Sequence, residues 1–312
     1  MRHVVAAIDI GGTNTKFGLV DRAGKILFQS TLSTRSFPDP IDLVAHLKSI
    51  FEKEVQQLDE ASILVGIGIG APNGNYFTGQ IEFAPNLLWK GKVPLCSLFA
   101  EAMNCPAWLT NDANAAALGE LVYGAAKGMK DFLFITLGTG LGSGIVANGE
   151  LIYGHDGFAG EVGHVLVTPG GRLCGCGRKG CLETYCSATA IVTTYHELKN
   201  SKELVDAKII ADRAHAGERE ACEAFRLTGE TLGLALANSV AYTSPAAIFL
   251  FGGLAHAGEL LFAPTRRSFE ENLLIIYKNK IKILPSGLHE DDAALLGSAS
   301  LIWQELGRKK KK

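Results

Sequence analysis

Displacing the sequence by 127 residues sets Asp9 on Thr136, Gly11 on Gly138, Phe17 on Gly144 and Leu19 on Val146. Each copy reads strand, glycine turn, strand. In the first, the apolar run Val4–Ile8 enters D-I-G-G-T-N-T-K (Asp9–Lys16), and the alternating Lys16–Asp21 leaves it. In the second, Phe132–Leu137 enters G-T-G-L-G-S-G (Gly138–Gly144), and Ile145–Asn148 follows. A repeated supersecondary unit constrains a chain to two similarly built halves. Strands and helices follow each copy in mixed order, so the expected class is α/β with two lobes. The boundary is expected near Thr110. This gives a smaller N-terminal lobe over 1–110, with the C-terminal helix 291–307 packing back on it, and a larger lobe over 111–290.

The rest of the pattern fits that class. Ile41, Val44, Leu47, Ile50, Phe51 and Val55 recur near a 3.6 period and predict an amphipathic helix over Ile41–Leu58. Ile63–Ile69 and Ala107–Thr110 read as strands, and an alanine-rich helix opens at Asn111-Asp112. Further helices are expected over Ala188–Leu198, Asp206–Ala214, Glu218–Ala241, Leu260–Tyr277 and Asp291–Leu306. Ala247–Phe251 reads as a buried strand running into Gly252-Gly253. A net charge of −2 gives no reason to expect nucleic acid or a membrane surface as partner. No apolar run reaches the ~18 residues of a membrane span, and no signal-peptide pattern opens the chain, so a cytoplasmic protein with reduced thiols is expected. The Arg308–Lys312 tail reads as a solvated end.

Three groups of residues carry chemistry. Backbone N–H groups in a glycine-rich turn form a concave anion site, and two matched turns can grip a polyphosphate. Neither turn is a Walker A sequence. Asp9, at the mouth of the first, suits a Mg2+ ion that also meets phosphate oxygens. Asp112 heads a helix, where it can cap the helix or take the proton of an attacking hydroxyl. The third group lies in F-A-G-E-V-G-H…C-G-C-G-R-K-G-C-L-E (Phe158–Glu183). Cys174, Cys176 and Cys181, with His164 upstream, form a Cys3His set suited to Zn2+, and Glu161 and Glu183 bracket the zinc loop 164–183. The alternatives at this point are free thiols and, for Asp9, bonds to its own turn. Asn86, Asn111, Glu161, His164 and Glu183 are polar loop residues suited to vicinal hydroxyls, which points to a sugar.

Taken together and in order, A-I-D-I-G-G-T-N-T-K-F-G, P-N-L-x-W, N-D-A-N-A-A-A-L-G-E, T-L-G-T-G-L-G-S-G-I, G-E-V-G-H…C-x-C-G-x-x-G-C-L-E and F-G-G-L resemble the ROK family of sugar kinases and repressors. The resemblance covers nearly the whole chain. It implies a two-lobed actin-like ATPase (ribonuclease H-like) fold with an interlobe cleft. It further implies that Asp9 (with Mg2+), Gly11, Gly12, Thr13, Asn14, Thr15, Lys16, Gly138, Thr139 and Gly140 meet ATP phosphates, and that Gly252 and Gly253 lie by the adenosine. Asp112 becomes the general base. Asn86, Asn111, Glu161, His164 and Glu183 contact the sugar, and His164 with Cys174, Cys176 and Cys181 holds a structural zinc.

The implied activity is ATP-dependent phosphorylation of the 6-hydroxyl of a hexose, glucose first. Fructose, mannose, allose and the N-acetylhexosamines N-acetylmannosamine and N-acetylglucosamine remain open. A homodimer or homotetramer is implied as well. The rival reading, a sugar-sensing repressor, is disfavoured because Asp9 stands too near the start for a DNA-binding domain before it. An actin-type filament protein leaves the zinc and sugar residues unexplained.

Overall fold

The computed structural model describes residues 1–58 and 61–309, so most of the lysine tail lies outside the described residues. In chain order the first strands are β1 (Arg2–Ile10), β2 (Asn14–Asp21) and β3 (Ile26–Ser33). Helix α1 (Pro40–Gln56) and β4 (Ser62–Gly70) follow. A small three-stranded sheet is then made by β5 (Gly74–Asn75), β6 (Gln80–Glu82) and β7 (Lys92–Val93). Next come α2 (Leu95–Met103), β8 (Ala107–Thr110) and α3 (Asp112–Tyr123). The second series is β9 (Phe132–Leu137), β10 (Leu141–Ala147), β11 (Glu150–Leu151), α4 (Glu183–Cys186), α5 (Ala188–Lys199), α6 (Ala207–His215), α7 (Arg219–Thr243), β12 (Ala247–Phe251), α8 (Glu259–Asn272) and β13 (Lys282–Pro285). Helix α9 (Glu290–Lys309) ends the described chain.

Two five-stranded sheets share one plan. The first runs β3-β2-β1-β4-β8 and the second β11-β10-β9-β12-β13. In each, the opening pair is antiparallel (β1 with β2, β9 with β10) and the next two pairings are parallel. The repeat seen in the sequence is therefore a repeat of topology.

The chain packs as two units. One holds Met1–Gly128, Leu151–Ala159 and Gly287–Lys312, and the other Met129–Glu150 and Gly160–Ser286. The division thus falls after α3, not near Thr110 where the sequence suggested it. The reason is local: α3 packs on α9 through small residues, and a methyl group built on Gly297 would stand 2.6 Å from the Ala115 carbonyl carbon and oxygen.

In the first unit the Val4–Ile8 run of β1 is apolar throughout because both of its faces are covered. Val4, Ala6 and Ile8 join one core with Leu43, Leu47 and Phe51 of α1. Val5 and Ala7 join another with Leu295, Ala299 and Ile302 of α9. The glycines of β4 let α9 come this close: a methyl group on Gly68 would overlap the Ser298 carbonyl, and one on Gly66 would stand 2.7 Å from the Ile302 side chain. The Ser298 hydroxyl donates to the Ile8 carbonyl at 2.8 Å, which locks the helix to the central strand.

In the second unit β9 and β12 bury Leu133, Ile135, Ile248 and Leu250 against α5, α7 and α8. Two elements depart from expectation. Helix α8 stops at Asn272, because Leu273 turns extended (φ −69, ψ 144), and Leu274, Ile275 and Ile276 face solvent. Their apolar character imitates a helix continuing to Tyr277. Strand β10 starts at Leu141, which pairs with Leu137, so the expected seven-residue loop is a tight turn over 138–140.

Candidate active site

In the first unit, β1 delivers Asp9 at its C-terminal end, opposite Lys16 of β2 and beside Gly70 of β4. The turn that follows is closed by the Gly11 N–H donating to the Asn14 carbonyl at 2.9 Å. Thr13 and Asn14 are exposed at its tip. Two residues expected at the phosphates are engaged elsewhere. Thr15 is fully buried, its hydroxyl 2.8 Å from that of Thr34, and the Lys16 amine donates to the Asp291 carbonyl at the start of α9. A strand alternates its faces, so a turn that exposes Asn14 must bury Thr15.

Gly12 backs onto the P-N-L-x-W loop: a methyl group there would come within 2.6 Å of the Asn86 carbonyl oxygen. That loop is anchored by buried Leu87 and Trp89, the Trp89 indole donating to the Phe37 carbonyl at 2.9 Å, and it leaves Asn86 exposed beside the turn.

Asn111 caps α3, its side-chain oxygen accepting from the Ala113 N–H at 2.9 Å. Asp112 accepts from the same N–H at 2.8 Å. The capping role and an active-site role are therefore compatible, since each group keeps further atoms free of the cap. Asp112 stays open to solvent, yet the protein packed round it desolvates its carboxyl and raises it, against the pull of its own N–H and that of Ala113. Burial pushes the Asp9 carboxyl up to about 7, with the Asp112 charge adding to the rise and Lys16 opposing it. Two mutually repelling, desolvated carboxylates form a donor set that a hard cation relieves.

Two further loops also meet in this unit. The Asn75 amide donates to the Asp156 carbonyl at 2.8 Å, and Tyr76 stacks on Tyr153 with ring centroids 3.9 Å apart.

In the second unit, the turn 138–140 is tied to the start of α5: the Ala188 N–H donates to the Gly138 carbonyl at 2.8 Å and the Thr189 hydroxyl to the Thr139 carbonyl at 2.9 Å. Gly252, at φ +101, lies against the Leu137 backbone just before the turn, a conformation and an approach that require glycine. Gly252 thus stands beside the residue that enters the turn 138–140, and a methyl group on Gly253 would meet nothing within 4 Å. Glu183 reaches the same turn, its Oε2 accepting from the Leu141 N–H at 3.0 Å.

Among the described residues, His164, Cys174, Cys176 and Cys181 form the metal-capable cluster, with one ligand atom from each lying within 4.8 Å of the others. His164 Nδ1 is 3.6 Å from Cys174 Sγ, and Cys176 Sγ is 3.6 Å from Cys181 Sγ. The other imidazole nitrogen, Nε2, lies 3.9 Å from the Glu161 carboxylate. A carboxylate behind the ligating imidazole is the usual support of a metal-bound histidine. The Arg178 N–H draws the Cys176 thiol down to about 6, and burial lifts Cys174 to about 12.

Two supporting residues escaped the sequence reading. Ser143 accepts from the Val162 N–H at 3.2 Å and donates to the Gly160 carbonyl, so it grips the chain on both sides of Glu161. Arg172 clamps the cysteine loop, donating to the Thr184 carbonyl at 2.8 Å and to the Thr194 hydroxyl at 3.0 Å. Neither offered a signal: Ser143 lay within the run read as a glycine turn, and Arg172 within the cysteine loop.

With that geometry in hand, the ROK family model matches residues 5–305. A glucokinase of Thermotoga maritima is 36% identical over 313 residues, covering 96% of this chain and 97% of that protein. The crystal structure of a ROK family glucokinase from Streptomyces griseus, in complex with glucose and AMPPNP, is 33% identical with a TM-score of 0.80; the match covers 96% of this chain and 99% of that one. A ROK family transcriptional regulator, a homologue of the E. coli MLC protein, is 25% identical with a TM-score of 0.87, covering 98% of this chain and 79% of that one. These likenesses assign the described chain the actin-like ATPase fold.

Proposed function

This chain belongs to the ROK family, and from that premise we propose that it is an ATP-dependent sugar kinase acting on the 6-hydroxyl of a hexose, glucose first. The observation that supports this most is Asp112, a solvent-reachable carboxylate held at the head of α3 and raised above the ordinary carboxylate range. A raised carboxylate is the better proton acceptor, and a hydroxyl attacking phosphorus must give up its proton.

The other residues have supporting tasks. Backbone N–H groups of the turns around Gly12 and Gly140 hold ATP phosphates, and Gly252-Gly253 leaves room for the adenosine. Mg2+ would be held by Asp9 and would neutralise charge developing on the transferred phosphoryl group. Asn86, Asn111, Glu161, His164 and Glu183 orient the sugar hydroxyls, and orientation lowers the barrier by holding the nucleophile in line. Zn2+ would be held by His164, Cys174, Cys176 and Cys181, and four protein ligands leave no position for a reacting water. Its contribution would be structural, fixing the loop that carries Glu161 and Glu183. The protein is proposed to act as a homodimer or homotetramer, which light scattering checks.

The likeness to a regulator supports a second reading, a sugar-responsive binding protein without turnover. The two separate on Asp112→Asn, which keeps the shape and removes the base. The kinase reading expects turnover to fall roughly 10^2–10^4-fold with little change in sugar affinity. Near-normal turnover in that variant would remove Asp112 from the mechanism. No ADP release by the wild type on any hexose would favour the binding protein.

A further inference from the structure

We propose that the Glu183 carboxylate gates the second glycine turn, sitting on it in the sugar-free protein and leaving it when sugar binds, so that sugar opens the turn to nucleotide phosphates; this rests on the sugar and phosphate roles proposed above. The ground is a competition for one donor. Glu183 Oε2 accepts from the Leu141 N–H at 3.0 Å and lies over Gly140 so closely that a methyl group there would overlap it. A carboxylate on a backbone donor of a glycine turn does chemically what a phosphate oxygen would do at the same place. Two anions cannot share that donor, and at such separation their charges repel.

The same carboxylate also faces the other way. Its second oxygen, Oε1, is 3.6 Å from Cys174 Sγ, on the side of the cluster that holds His164, which in turn stands 3.9 Å from Glu161. One side chain therefore reaches from the turn towards the residues proposed to meet the sugar. The backbone of Glu183 is pinned next to the cysteine loop, with the Leu182 N–H donating to the Val165 carbonyl at 2.9 Å. The moving part is the side chain.

A sugar hydroxyl that donates to Glu183 draws it off the Leu141 N–H. Nucleotide prefers the state in which the N–H is vacant, and sugar prefers the state in which Glu183 has turned to it. Two ligands that favour one state strengthen each other's binding, reciprocally. Gly140 has its place in this account, because any side chain there would exclude the carboxylate.

The test is calorimetric titration of Mg-AMPPNP, with and without saturating glucose, into the wild type, Glu183→Ala, Glu183→Gln and Glu161→Gln. The wild type is expected to bind nucleotide at least about fivefold more tightly with glucose present, the lower range of ordinary coupling between sites. Glu183→Ala should bind nucleotide without glucose as tightly as the wild type does with it, and glucose should add nothing. Glu183→Gln, which removes the charge but keeps an oxygen able to accept from the Leu141 N–H, should move part of the way, and far-UV circular dichroism checks that the alanine variant is folded. Glu161→Gln should weaken glucose binding and keep the coupling. A folded Glu183→Ala protein whose sugar-free nucleotide affinity equals that of the sugar-free wild type would overturn the gate while leaving the kinase reading intact. A wild type that binds neither glucose nor Mg-AMPPNP would overturn both.

Discussion

The Nδ1 atom of His164 stands 3.6 Å from the Sγ atom of Cys174, and Cys176 and Cys181 bring their sulfurs to the same separation. Ligands at zinc distances of about 2.0–2.3 Å in a tetrahedron lie roughly 3.5–3.8 Å apart. The spacing is that of a tetrahedral edge. The purified protein is therefore expected to carry one zinc per chain by elemental analysis. Cys176→Ala should release it and raise the sugar KM more than the ATP KM. Full sugar affinity in a metal-free protein would contradict the assignment.

The pair Asp9 and Asp112 predicts a pH dependence of stability. Burial holds the Asp9 carboxyl up to about 7, above the roughly 3.9 of an unfolded aspartate. The folded protein thus binds that proton more tightly than the unfolded chain does. The favourable contribution of the protonated group is complete below the unfolded value and is lost as pH rises through the folded one. Without Mg2+ or nucleotide, the Tm of the wild type should fall relative to Asp9→Asn between pH 5 and pH 8, while the variant loses activity. Parallel Tm curves would show that Asp9 is not desolvated.

Ser143 predicts a selective kinetic defect. It holds Gly160 and Val162 on either side of Glu161, so Ser143→Ala should let that carboxylate drift. One lost hydrogen bond is worth about 1 kcal/mol, or roughly a fivefold rise in sugar KM. The ATP KM should hold. Equal changes in both constants would mean that the variant disturbs the whole unit instead.

The packing of α9 on β4 predicts a stability defect far from the chemistry. A methyl group at Gly68 would overlap the Ser298 carbonyl, so Gly68→Ala must push the helix off the sheet or strain both. Overpacking of this kind costs about 2–3 kcal/mol, read as a lowered urea midpoint at unchanged slope. A neutral outcome would mean that α9 shifts freely.

These predictions draw unequally on what the sequence disclosed. The apolar run Val4–Ile8 of β1, the nearly apolar run Phe132–Leu137 of β9 and their glycine turns were legible, because burial on both faces leaves a near-continuous apolar run. The metal cluster was legible too, since three cysteines within eight residues and one histidine are rare enough to carry meaning together. The Glu183–Leu141 bond was not, because it joins positions 42 residues apart through a backbone N–H that any residue supplies. Thr15 and Lys16 looked like phosphate ligands by their place in the motif, and only the strand register turned Thr15 inward. The end of α8 was hidden by Leu274, Ile275 and Ile276, apolar residues that face water. The unit boundary depended on α3 fitting against α9, a match of small residues across 182 positions, Ala115 to Gly297.

Phosphoryl transfer to a hexose can be followed on the phosphorus atom itself, by 31P NMR of the protein with Mg-ATP and each sugar of a hexose and N-acetylhexosamine panel. The expected products are ADP and a 6-phosphate, with glucose giving the highest kcat/KM and Asp112→Asn giving almost none. ATP left unconsumed with every sugar, or phosphate appearing on a position other than the 6-hydroxyl, would rule this reading out.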